Sequence, residues 1–197
     1  KGNVFSVWAG VRTEGEVTLI LDGKPLYKER GELQLTDYGI SGIPVFQLSR
    51  YAVRALEESQ KAELSINFFP EYTTEELTEL LDRRRELCPY QSEAELLVGL
   101  LPDKLIRVFC KQKDLIQTLT SYRLTVRGST GMEQAQVCSG GVDTTQVNAE
   151  TLESNIHKGL YFAGELLDID GPCGGYNLQW AWSSGAAAGL HSAKEKL

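Results

Sequence analysis

The densest run of residues able to do chemistry lies between Gly159 and Asn177, GLYFAGELLDIDGPCGGYN. Leu160 to Ala163 reads as a short apolar strand of the buried kind. Gly164 closes it, and the carboxylate of Glu165 follows. A loop through Asp168, Asp170 and Cys173 leads to Gly174, Gly175, Tyr176 and Asn177, where a helix is predicted to run from about Gly175 to Lys194. Paired glycines at a helix start let another group approach the main chain closely. The first turn of a helix has unpaired N–H groups and partial positive charge, so it suits an anionic or electron-rich ligand atom. A strand–loop–helix ligand platform is one reading; a tight turn joining a strand to a helix is the other. Asp168 and Asp170 either meet a substrate or shape the loop, and the loop role is favoured. Trp180 and Trp182 fall on adjacent helix faces, so one belongs in a core and the other is free to wall a site. His157 and His191 have no carboxylate or metal partner in sequence and receive no role.

The elements that must position these residues follow from periodicity. Residues 4–36 read as β, beginning with Val4 to Trp8. Val17, Leu19 and Leu21 alternate through this stretch, Asp22-Gly23 is a turn signal, and Leu33 and Leu35 mark a second strand. Pro44 suits the first turn of a helix carrying Val45, Leu48, Ala52 and Leu56. Ala62, Leu64, Ile66 and Phe68 alternate as a strand over 61–69. Thr73 with Glu76, and Ser92 with Glu95, are capping boxes, in which a hydroxyl and a carboxylate satisfy each other's orphan amides. Leucine stripes follow each box, and Pro102 begins a third helix with Leu105, Ile106 and Phe109. Such stripes usually pack a core, with a partner-binding face as the alternative. Tyr122, Leu124 and Val126 return to alternation, and Glu133 to Cys138 suggests a further strand before Gly140-Gly141. Eleven of the 19 glycines lie in residues 128–197, so the last third is built differently and a boundary is expected near Gly128.

Composition narrows the classes. The 197 residues carry 27 acids against 20 bases, a net charge of −7 and a pI near 5.0. That balance leads to an expectation of no nucleic-acid partner. No apolar run approaches the roughly 20 residues that cross a bilayer, so no membrane association is expected. The four cysteines, Cys88, Cys110, Cys138 and Cys173, form no CxxC pair, which points away from zinc and toward a reduced, cytoplasmic setting. No metal site is expected. The chain starts at Lys1 inside what reads as structure, and a fragment is one expectation from that start.

Gly159–Gly189, GLYFAGELLDIDGPCGGYNLQWAWSSGAAAG, strongly resembles the C-terminal flavin-binding signature of the BaiN/RdsA-type (aminoacetone oxidase-like) FAD-dependent oxidoreductases. Gly31–Gly42, GELQLTDYGISG, resembles a signature of that family's insert domain. Gln136–Val142, QVCSGGV, resembles the strand and turn ahead of the flavin segment. The resemblance implies an α+β chain: a β-rich insert domain over 1–138 (β in 1–69 and 122–138, a helical subdomain at about 73–119), then residues 139–197 as the C-terminal strand–helix part of a Rossmann-like three-layer FAD domain. It implies FAD as cofactor, with Gly164 and Glu165 toward the ribityl–phosphate part. Gly174, Gly175, Tyr176 and Asn177 would lie at the pyrimidine edge of the isoalloxazine, with Gly140, Gly141 and Val142 close to the ring. Cys173 stands where a small residue such as Thr is expected. The family's GxGxxG fingerprint does not occur in this sequence. The chain therefore looks like the C-terminal half, whose partner is the N-terminal dinucleotide-binding half of the same protein. The implied activity is electron transfer between flavin and a small organic substrate, with NAD(P)H or oxygen as the other redox partner. The alternatives are a catalytically silent scaffold that does not hold FAD by itself, and an interaction module built on the leucine-rich helices of 73–110.

Overall fold

A computed structural model describes residues 4–194; the outermost residues of the two expected domains, 1–3 and 195–197, lie outside the described residues. The chain divides into two compact units, Lys1–Ser129 and Thr130–Leu197.

The first unit is built on one five-stranded antiparallel sheet in the order β3-β2-β1-β4-β5. The Asp22-Gly23 turn joins the long strands β1 (Val11–Leu21) and β2 (Lys24–Leu35). Register places Val17 opposite Ile66 and Leu19 opposite Leu64 of β4 (Ala62–Asn67). Leu64 and Ile66 in turn face Leu124 and Tyr122 of β5 (Tyr122–Thr125). Strand side chains alternate with period two, so this register puts these apolar residues on one face, while Ile20 is buried on the other. Leu33 and Leu35 of β2 join them, while β3 is only Ile40–Ser41. Helix α2 (Ile43–Glu57), with Pro44 in its first turn, buries Leu48, Ala52 and Ala55.

The helical segment begins with α3 (Thr74–Leu87). Both capping boxes form: Thr73 accepts from the Glu76 amide at 3.2 Å while Glu76 accepts from the Thr73 amide at 2.8 Å. Ser92 and Glu95 do the same at the start of α4 (Glu93–Leu96). Such caps contribute about 1 kcal/mol each. Then come α5 (Asp103–Phe109) and α6 (Leu115–Thr120). Leu77, Leu81, Leu97, Leu105, Phe109 and Leu119 are all at most 1% exposed, so the leucine stripes are core.

The expected strand at Val4 to Trp8 is instead a helix, α1 (Val4–Trp8). Five residues are too few to separate a period of two from one of 3.6, and tertiary packing decides. Trp8 is fully buried, its indole N–H donates to the Thr36 carbonyl at 3.0 Å, and its ring meets Phe5 and Tyr122.

The second unit has little regular structure before its last helix, α7 (Tyr176–Lys194). Two strand expectations fail here. Glu133 to Cys138 contains a 3₁₀ turn, Met132–Gln134, and bends rather than a strand. Leu160 to Ala163 forms no ladder: a single bridge pairs Tyr161 with Glu153, and Leu160 is 44% exposed. A buried strand needs a neighbour on each side, and no further strand pairs with it among the described residues. A small core of Val147, Leu152, Leu167 and Ala188 holds the unit, with Phe162, Ala163 and Trp180 packed against it.

Candidate functional site

The residues singled out by sequence converge in the second unit through main-chain hydrogen bonds. The Val142 amide donates to the Leu166 carbonyl at 2.8 Å, and the Asp168 amide donates to the Val142 carbonyl at 3.0 Å. These bonds clamp Gly141 against the Leu166–Asp168 backbone. A Cβ on Gly141 would sit 2.6 Å from the Leu166 carbonyl oxygen and 2.8 Å from the Asp168 nitrogen, so only glycine fits. The carboxylates complete the clamp: Asp168 accepts from the Gly140 amide at 3.1 Å and Glu165 from the Cys138 amide at 2.9 Å. Asp168 therefore shapes the loop. The Asp143 carboxyl is held below its usual range because it accepts from the amide and then the hydroxyl of Thr145.

Gly164 begins a 3₁₀ turn, Gly164–Leu166, tied to α7 at both its polar groups. Its amide donates to the Ser184 hydroxyl at 2.8 Å, and its carbonyl accepts from the Trp180 indole at 3.1 Å. Ser184 is 2% exposed and passes its own proton to the Trp180 carbonyl at 2.6 Å. Sequence reasoning missed Ser184. In a helix of small residues its hydroxyl carries no distinguishing signal, and only the packing shows that it satisfies a buried amide. Trp180 is the core tryptophan, whereas Trp182 is 68% exposed.

The entry to α7 is open. Gly174 and Gly175 have φ of 117° and 96°, the left-handed half of conformational space that glycine enters without strain. A Cβ on either would meet nothing within 4 Å. The Asn177 side chain is committed to the loop, accepting from the Gly171 amide at 2.7 Å and donating to the Gly171 carbonyl at 3.2 Å. That leaves its main chain, not its amide group, for any ligand. No acid occupies the first turn of α7, and among the described residues no main-chain carbonyl accepts from the amides of Gly174, Gly175 and Tyr176. Tyr176 is exposed beside them. First-turn amides, bare glycines and the positive end of a 19-residue helix suit an anionic ring edge or a carbonyl oxygen. Residues 174–177 thus cluster at one end of α7, and residues 140–142 and 164–165 cluster on the loop that α7 anchors. No group of His, Cys, Asp and Glu able to hold a metal ion occurs among the described residues. No described helix is long and apolar enough to cross a membrane.

Comparison with known proteins agrees with this organisation. Residues 4–137 match the family model described as HI0933-like protein barrel and H2TH domain, and residues 119–191 match HI0933-like protein Rossmann domain. A 3-dehydro-bile acid delta(4,6)-reductase of Clostridium scindens is 40% identical, over 98% of this chain and 52% of the relative. A ribosomal RNA dihydrouridine synthase of Haemophilus influenzae is 35% identical, over 89% of this chain and 45% of the relative. Its Escherichia coli namesake is also 35% identical, over 91% and 46%. The chain spans about half the length of these curated relatives. With a barrel match covering most of its length and a Rossmann match that overlaps its end, the chain belongs to the HI0933-like, BaiN/RdsA-type family of oxidoreductases.

Proposed function

We propose that this chain is the C-terminal part of a flavoprotein oxidoreductase that binds FAD. The observation that carries the reading is the glycine-opened first turn of α7, which holds no acid and leaves open space over Gly174 and Gly175. Gly174, Gly175, Tyr176 and Asn177 would hold the pyrimidine edge of the isoalloxazine by main-chain contacts. Gly164 and Glu165 would lie toward the ribityl–phosphate part, with Gly140, Gly141 and Val142 near the ring. When bound, the flavin supplies the hydride or electron transfer, and the protein supplies position and electrostatics. Amides at the pyrimidine edge favour the negative charge that reduction places there, which raises the reduction potential.

The relatives' names sharpen the reaction class. A bile acid delta(4,6)-reductase and a uridine-to-dihydrouridine enzyme both add hydrogen to a carbon–carbon double bond conjugated with a carbonyl. Reduction of such an activated alkene is the activity proposed here, with NAD(P)H as electron donor. The alkene is carried either by a small organic molecule or by a pyrimidine of RNA. The adenine–ribose half of FAD would be held by an N-terminal dinucleotide-binding half, since this sequence has no GxGxxG.

The test is the absorption spectrum of the full-length protein. Flavin bands that shift on adding a conjugated enone or a uridine-containing RNA together with NAD(P)H support the reading. A full-length protein that stays colourless and takes up no FAD would falsify it. The second reading, a scaffold silent by itself, rests on the missing fingerprint. Titrating FAD into the 197-residue chain checks it: tight binding by this chain removes the scaffold reading.

A further inference from the structure

From Tyr176 to Ala193 helix α7 carries no Asp, Glu, Lys or Arg. A helix at a protein surface keeps a charged face toward water, whereas one that is apolar all round lies between two layers. The second unit supplies one such layer. Trp180 and Ala187 pack against the small core that includes Ala188, and Ser184 is buried beside them. Two residues along a helix are about 200° of rotation. Leu178, Trp182, Gly185 and Gly189 therefore stand on the side opposite Trp180, Ser184 and Ala187. They recur in steps of four, three and four residues, the spacing of a single stripe. All four are exposed, Trp182 at 68%. Ala186 and Leu190, each one residue further on, widen the stripe and are exposed as well.

The shape of this face narrows its occupant. A Cβ on Gly185 or Gly189 would meet nothing within 4 Å, so the middle of the stripe is bare main chain. Leu178 and Trp182 rise at one end and Leu190 at the other. Bare glycine lets an opposing backbone come close. Two occupants fit such a trough: the face of a β-sheet, or a second α7 crossing at the glycines. The sheet is favoured by what the second unit lacks. Its 119–191 stretch matches a Rossmann model, yet every strand ladder among the described residues lies before Ser129, and residues 130–194 form only isolated bridges. A parallel sheet needs helices on both faces, and a helix of that fold needs its sheet. The relatives are about twice as long as this chain, which leaves room for those strands outside it.

We propose that the Leu178–Trp182–Gly185–Gly189 face of α7 is a docking surface for an apolar parallel-sheet face contributed by the rest of a longer polypeptide. The proposal rests on the reading of this chain as the C-terminal part of such a protein, and not on the flavin. Its test compares the 197-residue chain with the full-length protein. The double variant Gly185→Leu/Gly189→Leu should slow amide exchange across α7 about tenfold in the 197-residue chain, where both side chains enter open space and leucine is the better helix former. In the full-length protein the same variant should speed that exchange by about tenfold, because the added side chains overpack a filled seam. The second measurement needs no destabilised variant. Acrylamide quenching of tryptophan fluorescence, less the quenching left in Trp182→Phe, reads the coverage of Trp182. That difference should be large in the 197-residue chain and lost in the full-length protein. Slower α7 exchange in both proteins, or equal quenching of Trp182 in both, overturns the proposal. So does shielding of Trp182 that disappears on dilution, since the cover is then a second copy. A full-length protein that shields Trp182 and takes up no FAD upholds the docking and removes the flavin; one that holds FAD with Trp182 open does the reverse.

Discussion

The two units of this chain solve the problem of burying apolar surface differently. In the first, sheet and helices close over one continuous core from Trp8 to Leu119, and every long element contributes to it. In the second, four buried residues hold the fold, and Leu178, Trp182 and Leu190 of α7 stand more than 60% exposed. A 19-residue helix that buries only Ser184 and Ala188 fully has most of its surface unpartnered. Gly185 and Gly189 lie in open space, where each costs about 1 kcal/mol relative to alanine without any contact to justify it. The first unit is organised for stability. The second is held by main-chain and side-chain hydrogen bonds more than by packing.

This contrast can be broken most forcefully from the core. Trp8→Ala removes a fully buried ring and its bond to Thr36, and should destabilise the first unit by about 3–5 kcal/mol. Urea unfolding followed by tyrosine and tryptophan fluorescence checks this; a change below 1 kcal/mol would mean that the core is not continuous. Next is Ser184→Ala, which leaves the buried Gly164 amide without an acceptor at a cost of about 1–3 kcal/mol. Hydrogen exchange should speed up at residues 164–167 and leave β1 and β4 unchanged. Gly141→Ala acts on the same clamp by overpacking, at about 1–3 kcal/mol, with faster exchange at residues 140–142 and 166–168. Thr73→Ala should cost the first unit about 1 kcal/mol through its lost cap.

The smallest effect is electrostatic. Arg85, hydrogen-bonded and paired with Glu93, holds that carboxyl below its usual range. A depressed folded-state pKa contributes stability above the unfolded pKa and loses it as pH falls through the folded one. Both partners are well exposed, so screening keeps the contribution under about 1 kcal/mol. Glu93→Gln should therefore be mildly destabilising at pH 7 and nearly neutral at pH 3, as thermal melts at the two pH values would show.

Legibility followed the same division. In the first unit β1, α2, β4 and the capped helices α3 and α4 match the sequence expectations, because amphipathic periodicity and reciprocal caps are local signals. α1 was misread as strand since five residues carry no period. In the second unit the long helix α7 was legible from its length and small residues, and the glycines of 140–141 and 174–175 stood out. The strands expected at 133–138 and 160–163 were not formed. A strand is defined by its neighbours, and a short apolar run holds no information about whether they are present.

What the sequence alone determined is therefore the family, the alternation that builds the first core, and the position of the glycine-opened helix. These rest on residue identity and spacing, which survive without knowledge of distant contacts. Only the tertiary structure decided that Trp180 rather than Trp182 packs against the small core, that Ser184 satisfies Gly164, and that Asp168 and Glu165 clamp the 138–142 segment. Each depends on groups 16 to 28 positions apart meeting within hydrogen-bond distance. A buried polar group takes whichever partner the fold brings to it.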